Sequence, residues 1–226
     1  MEIGEMRIHP YGFIIVLSVL IGMLYIYQNL KKEKIQKSSI GLYFILYIAF
    51  AFIGGKLFTY LTNPKDTTIL TAGLSAYGGL IGTIASSIIF EKIQPSKGMI
   101  IKYTVLALPL IYSLSKIACF LSGCCYGIPY NGPFSITYTN GLNIPLFPIQ
   151  LVETICFGFL FLLIHKMKKK PNIEYFTIIG VSILKFSLDF LRYDHIHILI
   201  TVNQIFSIIL LIVTIIYMVY KKNLKA

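Results

Sequence analysis

Seven apolar stretches, each about the length a helix needs to cross some 30 Å of hydrocarbon, dominate this chain. They fall near residues 11–29, 40–61, 69–91, 99–121, 147–165, 173–192 and 199–220. Lipid offers no partner to a backbone N–H or C=O, so stretches of this kind fold as helices. The pattern predicts an all-α, polytopic integral membrane protein of about seven transmembrane helices around an intramembrane polar cavity. Charged residues make up 13% of the 226, about half the share in an average soluble domain, which leaves little material for a water-soluble surface. A single integral membrane domain over 1–226 is expected. Its longest connection, 122–146, is rich in Gly, Pro and Asn and contains ITYT, a candidate strand or hairpin arm. Lys102, Pro109 and Lys116 interrupt the fourth stretch. Glu2 and Glu5 precede the first, where a removable signal would carry positive charge, so none is expected.

Basic residues sort the connections by side. Lys31, Lys32, Lys34 and Lys37 follow the first stretch, Lys92 and Lys97 the third. Lys166, Lys168, Lys169 and Lys170 follow the fifth, and Lys221, Lys222 and Lys225 the seventh. The opposite side has Arg7, Lys65 and Arg192 at its borders, and 122–146 has no Lys or Arg. The positive-inside rule then places the N-terminus outside, the C-terminus in the cytoplasm and 122–146 on the outer face of the membrane. A net charge of +11 arranged this way speaks for topology and anionic headgroups, and no nucleic acid partner is expected.

Six charges sit inside or at the ends of apolar stretches: Lys56, Lys116, Glu153, Lys185, Asp189 and Arg192. Each costs roughly 2.5–3.5 kcal/mol at the bilayer centre on the most lenient insertion scale, so such groups face inward, toward one another or a ligand. Lys185, Asp189 and Arg192 are spaced i, i+4 and i+7, one stripe of a helix. A structural ion-pair ladder is one reading of the set. The surplus of four cations over two carboxylates favours another, in which an anion such as a lipid phosphate completes the site.

Two further motifs stand out. In AGLSAYGGLIG, Ala72 to Gly82, the glycines permit close approach of a second backbone or of a ligand, with the Tyr77 hydroxyl among them. In LSKIACFLSGCCYG, Leu114 to Gly127, Lys116, Cys119 and Gly123 would share one helical face. Cys124 and Cys125 are adjacent, C-x-x-C is absent and the four His are scattered, so neither a metal site nor a cofactor is expected. A vicinal disulfide or small buried thiols fit better.

These stretches resemble bacterial prolipoprotein diacylglyceryl transferases. The likeness runs from HPYGF (His9 to Phe13) and GGKLFTY (Gly54 to Tyr60) through GLSAYGGLIG and SKIACFLSGCCYG. It continues in FPIQLVE (Phe147 to Glu153), KFSLDFLR (Lys185 to Arg192) and TVNQIFS (Thr201 to Ser207). The resemblance implies a seven-helix membrane enzyme with its N-terminus outside. It would move a diacylglyceryl group from phosphatidylglycerol to the lipobox cysteine thiol of a prolipoprotein signal peptide. By the same resemblance Tyr77, Lys116 and Lys185 are catalytic. Tyr11, Lys56, Gly78, Gly79, Cys119, Gly127, Gln150, Glu153, Asp189, Arg192 and Gln204 bind substrate or shape the cavity.

The chain departs from the family pattern at informative places. Lysine stands at 56, 116 and 185 where the family typically carries arginine, keeping the charge without the planar fork that grips a phosphate through two bonds. Tyr77 and Phe147 replace histidines, Cys119 a frequent asparagine and Cys124 a frequent acidic residue. Other classes of function stand beside the transferase. They are a divergent transferase for another lipid or thiol peptide, and a non-catalytic anionic-lipid-binding membrane protein. A small transporter is disfavoured by the lack of an inverted repeat.

Overall fold

Each helix in the computed structural model begins or ends at a local signal in the sequence. The structure describes residues 2–3, 6–7, 10–62, 68–69, 71, 73–138 and 142–223; His9, Lys65, Thr139 and Lys225 of the motifs and loops above lie outside them. After a minimal antiparallel pair, β1 (Glu2–Ile3) and β2 (Met6–Arg7), come α1 (Pro10–Lys32), α2 (Lys37–Thr62), α3 (Ala76–Ile93) and α4 (Met99–Leu121). Then follow α5 (Ile149–Met167), α6 (Ile173–Asp189), a 3₁₀ turn at Tyr193–Ile196 and α7 (Val202–Asn223). Five of the helices, α1, α2, α4, α5 and α7, are long and apolar enough to cross a membrane.

The boundaries differ from the hydropathy pattern where a cap intervenes. Helix α3 starts at Ala76 rather than near 69, because the Ser75 hydroxyl accepts the Gly78 N–H and fixes the first turn there. Helix α7 starts at Val202 through a reciprocal capping box. The Gln204 N–H donates to Thr201 Oγ1 at 3.2 Å, and the Thr201 N–H donates to Gln204 Oε1 at 3.1 Å. Helix α4 runs unbroken past Pro109, so the interruptions foreseen there do not end it. Helix α6 stops at Asp189, which leaves Arg192 on extended backbone beyond the helix rather than on its stripe.

Large apolar side chains face outward, among them Phe13, Ile45, Ile155 and Ile216, each more than three-fifths exposed. Polar ones such as Gln150, Glu153, Asp189 and Gln204 are fully buried. That inversion is what a hydrocarbon solvent demands.

Two compact units divide the chain, Gly22–Leu108 and a second formed by Met1–Ile21 with Pro109–Ala226. In the first, α2 and α3 pack along the glycine stripe. A Cβ on Gly78 would overlap the Gly54 carbonyl oxygen, one on Gly54 the Gly78 carbonyl, and one on Gly82 the Phe50 carbonyl. Gly78 therefore serves a helix crossing, and Gly79 stands in ordinary contact with Ala51. The α3–α4 turn is fastened by Glu91, whose carboxylate accepts the Ser96 and Gly98 N–H groups at 2.7 and 2.6 Å.

In the second unit α5 packs on α6 and α6 on α7. Helices α4 and α5 are laced by Ser113 Oγ donating to the Thr154 carbonyl at 2.7 Å and Thr154 Oγ1 donating to that of Ser113 at 3.3 Å. The long connection is tied down by backbone bonds. Tyr193 N–H donates to the Tyr126 carbonyl, Ile128 N–H to Leu191 and Phe147 N–H to Ile128, at 2.9–3.0 Å. Ile136, in the candidate strand, pairs with Leu146.

Gly82→Ala should lower the thermal stability of the detergent-purified protein by about 1–3 kcal/mol, the usual cost of overpacking. Gly41→Ala, with open space around its Cβ position, should leave it unchanged or raised. Circular dichroism melts of the two variants check this.

Candidate functional site: a buried cation cluster

Glu153 lies in the first half of α5 with no solvent exposure, and two ammonium groups close on its carboxylate. Lys116 Nζ from α4 stands 2.8 Å from Oε2, and Lys185 Nζ from α6 stands 2.9 Å from Oε1. The Ser113–Thr154 lacing sets this meeting, since each partner is one helical turn or less from the charged residue. Tyr112, one turn before Lys116, donates its hydroxyl to Glu153 Oε1 at 2.8 Å. Its ring lies 5.0 and 5.2 Å from the two ammonium nitrogens, within cation–π range.

A second carboxylate continues the cluster. Asp189, also fully buried, has Lys185 Nζ at 3.7 Å and Arg192 Nε at 3.8 Å from Oδ1. Its Oδ2 accepts a short hydrogen bond from Thr201 Oγ1 at the start of α7, with His195 Nε2 3.8 Å away. Arg192 Nε also faces Asp194 Oδ2 at 3.5 Å, but that carboxylate is half-exposed. Arg192 Nε, His195 Nε2 and Asp189 Oδ1 are buried without a hydrogen bond. Three such atoms at one spot mark an incompletely satisfied polar site.

Stability does not account for this arrangement. Desolvation costs several kcal/mol per ion, and well-packed apolar residues in place of a buried ion network are often as stable or more so. Three cations, Lys116, Lys185 and Arg192, meet two buried carboxylates, with the half-exposed Asp194 at the Arg192 edge.

The structure thus gathers five of the six charges read from the sequence. Lys56 belongs to the Gly22–Leu108 unit, where its Nζ lies 3.5 Å from the Ile69 carbonyl and 5.4 Å from the Phe52 ring centroid. Tyr77, 8% exposed and stacked on Phe58, is in that unit too, with Gly78 and Gly79. Gln150, one turn before Glu153, donates Nε2 to the Cys124 carbonyl at 2.6 Å and so anchors the loop. A Cβ on Gly127 would overlap the Phe147 carbonyl, and Gly127 pairs with Arg192 backbone to backbone. Gln204 spends its side-chain oxygen on the α7 cap. Tyr11 stands beside Cys119.

Tyr112, Thr201 and His195 belong to the cluster and escaped the sequence reading. For Tyr112 the signal was present, an i−4 spacing from Lys116. Thr201 meets Asp189 only through the α6–α7 turn, which no local pattern reveals.

The four cysteines are free, so no vicinal disulfide forms. Gly123 lies past the end of α4 in left-handed conformation, not on the helical face of Lys116 and Cys119. Hydrogen bonds from Cys119 and then Cys124 draw the Cys125 thiol well below its ordinary pKa. Burial opposes this, and Lys116 and Arg192 add to it. The bond to Cys125, then burial, push Cys124 up.

Five membrane-length helices and a buried cluster of paired charges define a polytopic helical membrane protein. The family profile described as "Prolipoprotein diacylglyceryl transferase" matches residues 1–220, and the chain belongs to that family. It is 29% identical over 212 residues to a phosphatidylglycerol–prolipoprotein diacylglyceryl transferase of Clostridium tetani, covering 85% of this chain and 84% of the relative. A second enzyme of that name, from Clostridium perfringens, is 28% identical over 213 residues (85% and 82% covered). The Finegoldia magna enzyme is 26% identical over 227 residues (95% and 92% covered).

Replacing Glu153 by Leu strands two buried ammonium groups and should destabilise the protein by about 3–5 kcal/mol. A double-mutant cycle with Lys116→Met, read by thermal melts, should recover part of that loss if the 2.8 Å pair acts as described.

Proposed function

We propose that this chain transfers a diacylglyceryl group from phosphatidylglycerol to the lipobox cysteine thiol of prolipoproteins. The observation that carries the reading is the buried group of Lys116, Lys185 and Arg192, which outnumbers its two buried carboxylates and leaves Arg192 Nε without a hydrogen bond. Family membership and the names of the relatives support the substrates.

In the reaction the thiolate sulfur attacks the diacylglycerol carbon next to the phosphodiester. A C–S bond forms, the C–O bond to phosphate breaks, and glycerol phosphate leaves with one more negative charge than the diester carried. Lys116, Lys185 and Arg192 meet that growing charge, which is where fixed cations accelerate a reaction. Glu153 and Asp189 hold the cations in place until the phosphate arrives. Tyr77 keeps a part the resemblance implies, that of a hydrogen-bond partner for the thiol.

Seven membrane crossings suit this chemistry, with α3 and α6, 18 and 17 residues long, as the shorter spans. At about 1.5 Å per residue they nearly match the hydrocarbon thickness. Lysines after α1, α3, α5 and in the last turn of α7 set the N-terminus outside the bacterial cytoplasmic membrane and the C-terminus inside. The polar cavity then opens toward the loop 122–146 and the incoming signal peptide.

A second reading, transfer of another anionic lipid, is favoured by lysine at 116 and 185, since a point charge selects headgroup geometry less strictly than a guanidinium. Mass spectrometry of the modified peptide separates the two. The main test is lipidation in a bacterial strain depleted of its own transferase. Lys116→Ala and Lys185→Ala should each cut it by about 100-fold or more, the scale set by loss of one charge-stabilising donor. Lys185→Arg should retain most activity. Normal lipidation by either alanine variant sinks the proposal.

A further inference from the structure

Three thiols meet at the loop-bearing end of α4, and the transfer chemistry above leaves them without a task. Cys119 is buried on the last turn, Cys124 and Cys125 are half-buried in the loop, and their Sγ atoms all lie within 4.8 Å of one another. Among the described residues this group comprises these three alone.

The backbone explains how they meet. Gly123, at φ +59°, closes a Schellman motif in which the Cys124 N–H reaches the Cys119 carbonyl at 3.1 Å and the Gly123 N–H reaches that of Phe120 at 3.3 Å. The motif sets its first and last residues side by side, normally as an apolar contact. Here both are cysteines. Cys125 then adopts φ +57°, which costs a β-carbon-bearing residue about 1–3 kcal/mol. Glycine would relieve that strain and any small apolar residue would serve the motif, so packing alone does not call for a third sulfur at this spot.

We propose that Cys119, Cys124 and Cys125 form a three-thiolate site for a soft divalent ion, zinc, whose fourth position is open to a sulfur ligand. Tetrahedral zinc with bonds of about 2.3 Å sets its sulfurs about 3.8 Å apart, within small side-chain adjustments of the observed spacing. Three protein ligands with one free position is the pattern of reactive rather than structural zinc. Zinc binding stands on this geometry alone. The identity of the fourth ligand rests on the proposed transferase reading: the substrate's cysteine binds there, releases its proton to water and is presented as the thiolate that forms the C–S bond.

The full chain, purified in detergent from zinc-supplemented cells, is assayed for metal by mass spectrometry, then stripped and titrated with Co²⁺. About one zinc per chain is expected, with sulfur-to-cobalt charge-transfer absorption and tetrahedral d–d bands. Cys119→Ser, Cys124→Ser and Cys125→Ser should each lower zinc affinity by about tenfold or more, whereas Cys156→Ser on α5 should not. Because a serine variant could lose the fold, the unaltered protein gives an independent readout. Zinc should shield three of the four thiols from N-ethylmaleimide until a chelator is added. Metal-free protein without a charge-transfer band, an oxidised pair among the three, or equal alkylation with and without zinc overturns the site. A lipobox-cysteine peptide should shift the cobalt spectrum; one bound Co²⁺ whose spectrum ignores the peptide overturns the open position. Protein that binds Co²⁺ and peptide yet transfers no lipid overturns the transferase reading and leaves the zinc site standing.

Discussion

One carboxylate shared by two ammonium groups organises the Pro109–Ala226 segment. Glu153 fixes the register of α4 against α5 through Lys116, and of α5 against α6 through Lys185. Buried charge has few ways to be satisfied in hydrocarbon, so the three helices must meet in the order that brings these groups together. The same demand extends through Asp189 to Arg192 and to Thr201 at the start of α7. Helix positions and the start of α7 therefore follow from one requirement.

Much of that requirement is legible in the sequence because ions are conspicuous in apolar runs. Lys116, Glu153, Lys185, Asp189 and Arg192 stand out without any knowledge of the fold, and all five meet. Spacing was a weaker guide. Arg192 joins Asp189 from extended backbone, not from a continuing helix, because α6 ends first. The glycines of α3 admit a second backbone or a ligand by sequence alone; in the fold Gly78 and Gly82 admit the backbone of α2. Gln204 carries the T-x-x-Q signature of a capping box, which a cavity-lining role had obscured. What stayed hidden depends on tertiary turns: Thr201 against Asp189, and the three sulfurs, whose convergence comes from a left-handed glycine rather than from a C-x-x-C spacing.

Two of the cluster's three cations are lysines, and that sets what it can do. An ammonium turns freely about its stem and shares its three protons among several acceptors, whereas a guanidinium locks onto one planar partner. Lys185 uses that freedom, lying within ion-pair range of Glu153 and Asp189 together. The one guanidinium of the cluster, Arg192, is the group held by the loop.

That hold is made through main-chain atoms: Gly127 pairs with Arg192, and the neighbouring amides of Ile128 and Tyr193 complete the tie. Peptide groups are common to every residue type except proline in its donor. The side chains of Ile128 and Tyr193 can thus be exchanged without loss of the bonds that place the charge beneath them, so the position of Arg192 is independent of what those two positions display.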